Sequence, residues 1–386
     1  MPNNQLSSMS HVLFIGYGLE ADRTEAVAKN TIRLQSQMKK RGFRTSVANI
    51  GFSSPASAID GSRSMASAVR ERKRILQELI TYIQKERVTH LHDVFVLPLA
   101  SQLFTLPVKK KLPELILIKE VHNFPGFSPV LHLESLIRFF GNRAEQLQQV
   151  IEKSDSTFTR NYAISEQYQL PFLPAPIIFD PLLKKRREKK LQVCYLGHPL
   201  KKKGIYAFPQ IFAELGRLGQ RDIEFTIALS KIGDRKGVQQ LLADSARDNG
   251  LTVRFCNEVV PSQFFRGQDV LLLPLQDEYS ATSTPNCILE AMEAGCVVLT
   301  TNTRSLRGVI EHGRTGFLLP KFSAVLVIAF LEKLRNNEEL VQNTANSARL
   351  WIEENYNPQK AELLLGMIYE KDGRGNSKIL PERASR

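Results

Sequence analysis

Apolar and polar positions alternate along the chain in two periods, one typical of buried strands and the other of amphipathic helices. In the first half, short apolar runs predict strands over 11–16, 45–50, 94–98, 115–121 and 156–159. Helical spacing between these runs predicts helices over 25–41, 65–87 and 134–153. Strands that alternate with helices of this length form βαβ units, so the pattern predicts a parallel sheet covered by helices.

A second alternation of the same kind follows the basic run at 184–190. It predicts strands over 191–197, 224–228, 252–255, 270–273 and 296–300, with helices over 204–218, 236–248 and 285–294. The stretch 340–371 is again helical in its spacing. The sequence therefore predicts two α/β domains, 1–186 and 187–350, then a terminal helix over 351–372 and a disordered tail over 373–386.

The net charge is +13, with 52 Lys and Arg against 39 Asp and Glu. This balance favours an anionic partner, such as nucleic acid, a membrane surface or a phosphorylated ligand, and it fits a soluble protein with a basic surface equally well. The basic runs at 109–111 and 184–190 contain no interleaved aromatic residues. A channel for single-stranded nucleic acid is therefore disfavoured.

Membrane and secretory signals are absent from the sequence. No apolar run approaches the roughly 20 residues of a membrane span, and the first residues have neither a basic segment nor an apolar segment of a signal peptide. The four cysteines form no C-x-x-C pair. We expect a cytoplasmic protein with free thiols.

The segment 279–292 carries the clearest local signal. Ser283 or Thr284 is a favourable helix N-cap, Pro285 suits the first helical position, and a predicted strand ends shortly before. A helix N-terminus at the carboxyl end of a parallel strand binds phosphate through its free N–H groups and its dipole. The alternative is an ordinary capped helix with Glu290 in solvent.

Two glycine turns follow predicted strands. The first, Gly16-Tyr-Gly18, lacks the third glycine of a dinucleotide fingerprint, so an NAD enzyme is disfavoured. The second runs from Gly197 to Gly204 and offers three lysines, 201–203, to a diphosphate, although it is not a Walker loop.

Histidines also mark the ends of strands. His90 and His92 share one strand face, but the sequence supplies too few further ligands to favour a metal site. His122 follows an apolar strand, at the end where ligands bind in open α/β sheets.

Taken together, the blocks of the second half resemble the retaining glycosyltransferases of family 4. They are the strand and turn that end in Lys203-Gly204, the strand that ends in Leu273-Pro274, the Leu289-Glu-Ala-Met-Glu-Ala-Gly295 helix and the turn His312-Gly-Arg-Thr-Gly316. The resemblance implies the GT-B fold, which consists of two Rossmann-like domains whose parallel sheets face each other across a cleft. It also implies that the terminal helix crosses back onto the N-terminal domain.

The same resemblance implies transfer of a hexose-type sugar, with retention and without a metal or other cofactor. The donor is a nucleoside-diphosphate sugar, and the acceptor is a hydroxyl of a glycan, a lipid-linked molecule or a small molecule. Lys203 would neutralise the leaving diphosphate, Glu290 would bind the ribose hydroxyls, and His122 would lie beside the transferred sugar. The remaining donor-binding positions are Gly16, Gly18, Gly197, His198, Thr282, Ser283, Thr284, Pro285 and Asn286.

Three positions depart from the family pattern. Thr282 and Gly308 stand where the family has glutamate, and His198 stands where it has arginine. These departures leave open a second hypothesis, a catalytically silent protein of the same fold that binds a glycan or a partner. A nucleic-acid binder is supported by net charge alone. The basic runs also favour docking on the anionic inner face of a membrane.

Overall fold

A computed structural model of the protein describes residues 10–16, 19, 26–50, 65–96, 98–122, 143–174, 190–231, 233–276 and 284–369. The chain divides into two compact units. Unit 1 combines Met1–Ala175 with Pro358–Arg386, and unit 2 is Pro176–Asn357. The chain thus changes unit at 175/176 and 357/358, whereas the sequence placed these junctions at 186/187 and 350/351.

Unit 1 contains a five-stranded parallel sheet in the order β2-β1-β3-β4-β5. Its strands are β1 (His11–Gly16), β2 (Arg44–Asn49), β3 (His90–Asp93), β4 (Ile116–Val121) and β5 (Ser156–Thr159). Its helices are α1 (Ala26–Lys40), α2 (Met65–Lys85), α3 (Pro98–Lys111), α4 (Arg143–Lys153), α5 (Tyr162–Tyr168) and, from the C-terminal stretch, α12 (Pro358–Tyr369).

Helices cover both faces of this sheet, because alternate strand residues point to opposite sides. On one face Leu13 and Leu91 pack against apolar residues of α2 and α3. On the other face Val12 and Phe14 pack against α1 and α12. Since α12 buries Leu365, Ile368 and Tyr369 in the second of these clusters, the last described helix completes the core of the domain in which the chain begins.

One predicted strand of this unit is wrong. The strand predicted over 94–98 lies earlier in the chain. It is β3 (His90–Asp93), and Pro98 begins the helix α3. Proline is favoured at the first helical position because it has no N–H to satisfy and its φ is already helical. The lysines 109–111 therefore end a helix, and Lys109 Nζ donates to the carbonyls of Pro113 and Leu115 at 2.9 and 2.8 Å.

Unit 2 contains a six-stranded parallel sheet in the order β11-β10-β9-β6-β7-β8. Its strands are β6 (Leu191–Gly197), β7 (Ile223–Leu229), β8 (Val253–Cys256), β9 (Val270–Leu273), β10 (Val297–Thr301) and β11 (Phe317–Leu319). Its helices are α6 (Phe208–Arg217), α7 (Arg235–Asp248), α8 (Pro261–Phe265), α9 (Asn286–Glu293), α10 (Ala324–Arg335) and α11 (Glu338–Asn355).

The helices of unit 2 form two groups, with α6 packed against α7 and α10, and α9 packed against α8 and α11. Strands β9 and β10 are buried along their whole length, as expected for a parallel sheet between helical layers. The prediction of two α/β units with parallel sheets is confirmed. Within the described ranges, every helix is too short or too polar to cross a membrane.

Candidate functional site

In unit 2, the strand order reverses between β6 and β9. The chain runs from β6 outward to β7 and β8, and then returns to the other side of β6 for β9, β10 and β11. Ligands of open α/β sheets bind outside the carboxyl ends of the strands at such a switch point. The Lys203 turn follows β6 and Pro274 follows β9, so both predicted blocks lie at this position.

Gly204 holds the Lys203 turn against the end of β9. Its φ is +83°, and a Cβ placed on it would lie 1.9 Å from the carbonyl oxygen of Pro274. Gln276 N donates to the carbonyl oxygen of Lys202 at 3.3 Å across the same junction. Glycine is therefore required by the close approach of two backbones, and this contact sets the position of Lys203.

Tyr195 of β6 forms a hydrogen bond with the same turn. Its side chain is fully buried, and its hydroxyl donates to the carbonyl oxygen of His198 at 2.9 Å. A Cβ on Gly197 would lie 2.8 Å from that hydroxyl, so glycine leaves room for the phenol. Burial, with the nearby Cys287, raises the Tyr195 pKa well above its usual value, and the neutral phenol remains a hydrogen-bond donor.

His198 is held by β7. Its Nδ1 forms a hydrogen bond of 2.5 Å with Ser230 Oγ, just beyond the end of that strand. This contact fixes the ring orientation at the place where the family has arginine. An imidazole in this position supplies hydrogen-bonding capacity without a permanent charge.

The helix predicted from Pro285 onward is present but begins one residue later, and the predicted cap is wrong for Thr284. The helix α9 begins at Asn286, Pro285 is its N-cap, and no side chain forms a capping hydrogen bond. The Thr284 hydroxyl instead donates to the carbonyl oxygen of Ser305 at 2.8 Å, which ties the loop to the segment after β10. Because the N-cap residue is proline, it offers no side-chain acceptor to the first N–H groups of α9, and a helix start of this kind suits an anion.

Lys203 and Glu290 act on the same thiol, although they are far apart in sequence. Burial, followed by the Glu290 carboxylate, raises the pKa of Cys287 to about 12, while Lys203 acts in the opposite direction. Both charges therefore lie close enough to Cys287, in the first turn of α9, to influence its thiol electrostatically. Cys287 itself stays protonated and is no nucleophile at neutral pH.

In unit 1, His122 lies at the end of β4 beside a buried carboxylate. Glu120 is 1% exposed; its Oε1 lies 3.0 Å from Arg160 Nε and 3.5 Å from His122 Nδ1, and its Oε2 lies 3.5 Å from His92 Nε2. Burial alone would raise the Glu120 pKa, but Arg160, His122 and His92 together hold it well below its usual value.

The same surroundings keep His122 neutral. Burial lowers its pKa to about 4, although Glu120 opposes this change. At neutral pH His122 is therefore an imidazole that donates or accepts a hydrogen bond, and it carries no positive charge. The Glu120 carboxylate faces the ring on its Nδ1 side.

His90 and His92 contact α12, the last described helix. Both rings contact Tyr369 of α12, with ring centroids 6.0 and 5.9 Å apart, and His92 Nδ1 forms a short hydrogen bond with the Tyr369 hydroxyl. Burial lowers the pKa of His90 to about 4 and also lowers that of His92. Across the described parts of the chain, no group of three or more His, Cys, Asp or Glu side chains is arranged to hold a metal.

Gly16 has a packing reason for being glycine. It ends β1 at the switch point of the first sheet, and a Cβ on it would lie 2.6 Å from Val94 Cγ2. That Gly16 contacts the sugar donor remains a prediction. Gly18, Thr282 and Ser283 lie outside the described residues.

Sequence reasoning missed the side chains that support these sites. Lys119 and Glu120 break an apolar strand that is buried on both faces, and this pattern is a signal of an internal ion-pair network. Lys119 Nζ accordingly lies 2.7 Å from Asp93 Oδ1, on the opposite face from Glu120. Tyr195 and Cys287 gave no such signal, because tyrosine and cysteine within apolar runs are common core residues.

Comparison with known proteins identifies the pattern of unit 2. Residues 190–337 match the family of glycosyl transferases group 1. This stretch is similar in sequence to group 1 glycosyltransferases. The resemblance predicted from the motif blocks is thereby confirmed for group 1, and the finer assignment to retaining family 4 stays a prediction.

Curated relatives match over less than half of their length. An alpha-D-kanosaminyltransferase from Streptomyces kanamyceticus is 28% identical over 47% of this chain and 46% of its own. The capsular polysaccharide biosynthesis glycosyltransferase CapM from Staphylococcus aureus is 23% identical over 43% of this chain and 42% of its own.

Solved structures match nearly the whole chain and show its fold. Sucrose-phosphate synthase from Thermosynechococcus elongatus has a TM-score of 0.66 at 12% identity, covering 94% of this chain and 98% of that one. Anabaena HepE, solved with UDP and glucose, has a TM-score of 0.64 at 10% identity, covering 94% of this chain and 100% of that one. The chain therefore has the GT-B pair of parallel-sheet α/β domains.

Proposed function

We propose that this protein is a glycosyltransferase that moves a sugar from a nucleoside-diphosphate donor to an acceptor hydroxyl. The observation that carries the proposal is the convergence of Lys203, the start of α9 and Glu290 at the switch point of the second sheet. A cation, free backbone N–H groups and a carboxylate in this arrangement suit a diphosphate next to a ribose.

In the proposed reaction, the bond between the anomeric carbon and the diphosphate oxygen breaks as the acceptor oxygen bonds to that carbon. The acceptor proton passes to the departing phosphate, so charge and atoms balance. Negative charge grows on the leaving group in the transition state. The Lys203 ammonium and the N–H groups near Thr284 to Asn286 stabilise that charge in place, which lowers the barrier.

The two supporting roles follow from protonation and geometry. Glu290 accepts hydrogen bonds from the ribose hydroxyls. His122, neutral at physiological pH, forms a hydrogen bond to the transferred sugar, and Glu120 holds its ring in place. Retention at the anomeric carbon, a hexose as the sugar and independence from metal belong to the proposal through the family resemblance.

The partners proposed are a nucleotide-sugar donor and a glycan, lipid-linked or small-molecule acceptor. Among structures of similar fold, Anabaena HepE was solved with UDP-glucose, and a Staphylococcus aureus TarM variant with UDP and alpha-GlcNAc-glycerol. We extend the proposal to a UDP-sugar on this basis. The proposal also includes a cytoplasmic location, peripheral docking on an anionic membrane and no nucleic-acid partner.

A catalytically silent glycan- or partner-binding protein is the second candidate. It is favoured by the replacement of the family arginine with His198, whose ring is engaged by Ser230, and by Thr282 and Gly308 in place of glutamates.

Turnover separates the two candidates. Purified protein is incubated with UDP-, GDP- and ADP-sugars and an acceptor mixture, and release of the free nucleoside diphosphate is measured. A thermal-shift screen with the same nucleotides identifies the base, because a ligand of the native state raises the melting temperature. Release of one nucleotide together with sugar transfer supports the enzyme. Binding of a glycan without any nucleotide release or nucleotide-induced shift overturns it.

A further inference from the structure

A cleft of about 280 Å³ lies in unit 2 at the carboxyl ends of β9, β10 and β11. Its lining includes polar and basic residues that follow these three strands: Gln276, Thr301, Asn302, Arg304, Arg307 and Lys321. The backbone bond between Gln276 and Lys202 joins this region to the Lys203 turn. Neither Lys203 nor Glu290 lines the cleft.

The described residues of the lining carry charge of one sign. Arg304, Arg307 and Lys321 contribute three cations, and none of the described residues that line the cleft is acidic. Arg307 and Lys321 are exposed, whereas Arg304 is half-buried. Like charges around one concavity repel one another, and a bound anion would relieve that repulsion. Guanidinium groups match phosphoryl oxygens with paired hydrogen bonds, and an ammonium adds a point charge.

Thr301 supplies an independent sign of a ligand. It lines the cleft, is only 4% exposed, and its hydroxyl oxygen is buried without a hydrogen-bond partner. The preceding residue, Thr300, donates its hydroxyl to the carbonyl oxygen of Leu273 at 2.7 Å. Buried hydroxyls in folded proteins almost always have such a partner. An acceptor oxygen from a bound group would complete the hydrogen bonding of Thr301.

We propose that this cleft binds the phosphoryl group of an anionic ligand, at a site separate from the Lys203 turn. Three cations with a hydroxyl and two amide side chains suit a doubly charged phosphoryl group better than a single carboxylate. The group belongs either to a soluble phosphate ester or to a lipid phosphate headgroup. The proposal does not depend on sugar transfer, since it concerns binding alone.

Isothermal titration of the full chain with inorganic phosphate at low salt tests the site. The test variant is Arg307→Gln/Lys321→Gln, which changes two exposed side chains and is expected to leave the fold intact. Thr301→Val removes the hydroxyl at constant shape. Lys236→Gln, an exposed lysine of α7, is the matched control for charge, and Lys203→Ala removes the cation of the proposed donor site.

We expect phosphate to bind the wild type and Lys236→Gln with similar affinity, and the cleft to retain phosphate in Lys203→Ala, in which the proposed donor site has lost its cation. The double variant is expected to bind at least about tenfold more weakly, and Thr301→Val several-fold more weakly, because charge-assisted and buried hydrogen bonds are lost. No binding to the wild type, undiminished binding to the double variant, or loss in Lys203→Ala alone overturns the proposal. The double variant should still show the nucleotide-induced thermal shift. Loss of phosphate binding from the cleft is then distinguishable from failure of the proposed transferase activity.

Vesicles identify the source of the phosphoryl group. A lipid headgroup is the ligand if phosphatidate vesicles retain the wild type but not the double variant. Phosphatidylcholine vesicles should then retain neither protein. Phosphate binding that the double variant loses, without retention on phosphatidate, supports the proposal with a soluble ester as ligand.

Discussion

Arg160 Nε lies 3.0 Å from Glu120 Oε1, and both side chains are buried. Replacing Arg160 with methionine leaves a buried carboxylate without its strongest partner, which costs about 3–5 kcal/mol. We therefore expect Arg160→Met to speed hydrogen exchange throughout β4 and β5. The double variant Arg160→Met/Glu120→Gln should recover part of the loss, because the unpaired charge is gone. Equal protection in Arg160→Met and wild type would contradict this role.

Unit 1 is expected to lose stability as the pH falls below about 6.5. His90 and His122 have pKa values lowered by burial from 6.5 to about 4. Between these values the unfolded chain binds more protons than the folded chain, so acid favours unfolding by up to about 3 kcal/mol per histidine. Glu120, whose pKa is lowered against the effect of burial chiefly by Arg160, adds to the loss below about pH 4.5.

Urea-dependent hydrogen exchange of β3 to β5 peptides at pH 7, 5.5 and 4.5 measures this dependence, after correction for the intrinsic exchange rate. The unfolding midpoint should fall with each step. A midpoint unchanged from pH 7 to 4.5 would show that the three groups ionise alike in the folded and unfolded states.

Gly204→Ala should disrupt the Lys203 turn. The new Cβ would lie 1.9 Å from the Pro274 carbonyl oxygen, on a residue with φ of +83°, so the turn must move away from β9. Gly219→Ala is the matched control, since its φ of +66° is similar but nothing lies within 4 Å of the added Cβ. We expect about 1 kcal/mol of destabilisation in the control and several times more in Gly204→Ala, measured by urea unfolding. Similar losses in both would mean that the contact with Pro274 is unimportant.

Tyr369→Phe should loosen α12. The change removes the hydroxyl that bonds to His92 Nδ1 and leaves a buried ring nitrogen unsatisfied, at a cost of about 1–3 kcal/mol. Limited proteolysis of the C-terminal stretch should become faster. Leu363→Ala on the same helix is the control, because Leu363 is 68% exposed. Cleavage of Tyr369→Phe at the wild-type rate would rule out an anchoring role for the hydroxyl.

Lys203→Ala and Glu290→Ala are each expected to lower turnover at least about a hundredfold, as is typical when a group that stabilises transition-state charge or positions the donor is lost. Lys202→Ala, next to Lys203 but exposed, should retain most of the activity. Circular dichroism should be the same for all three variants. Wild-type turnover in Lys203→Ala would place the diphosphate elsewhere.

Much of the architecture was predictable because hydrophobic periodicity reflects burial on two sheet faces. The strands over 156–159, 191–197 and 270–273 have the predicted bounds, and the fold class follows from the alternation. The error over 94–98 arose because the residues between β3 and α3 are as apolar as a strand, and only the Asp93 carboxylate, which accepts from Phe95 N at 3.0 Å, marks the end of β3. That side-chain contact has no periodic signature.

The sequence alone determined the two-unit α/β plan, the Lys203-Gly204 turn and the start of α9, because strand and helix periods, glycine and proline act locally. Only the tertiary structure decided that Thr284 bonds to Ser305, that Lys203 and Glu290 converge on Cys287, and that His122 stays neutral beside Glu120. These features depend on contacts between segments distant in the chain, and on the burial that such contacts produce.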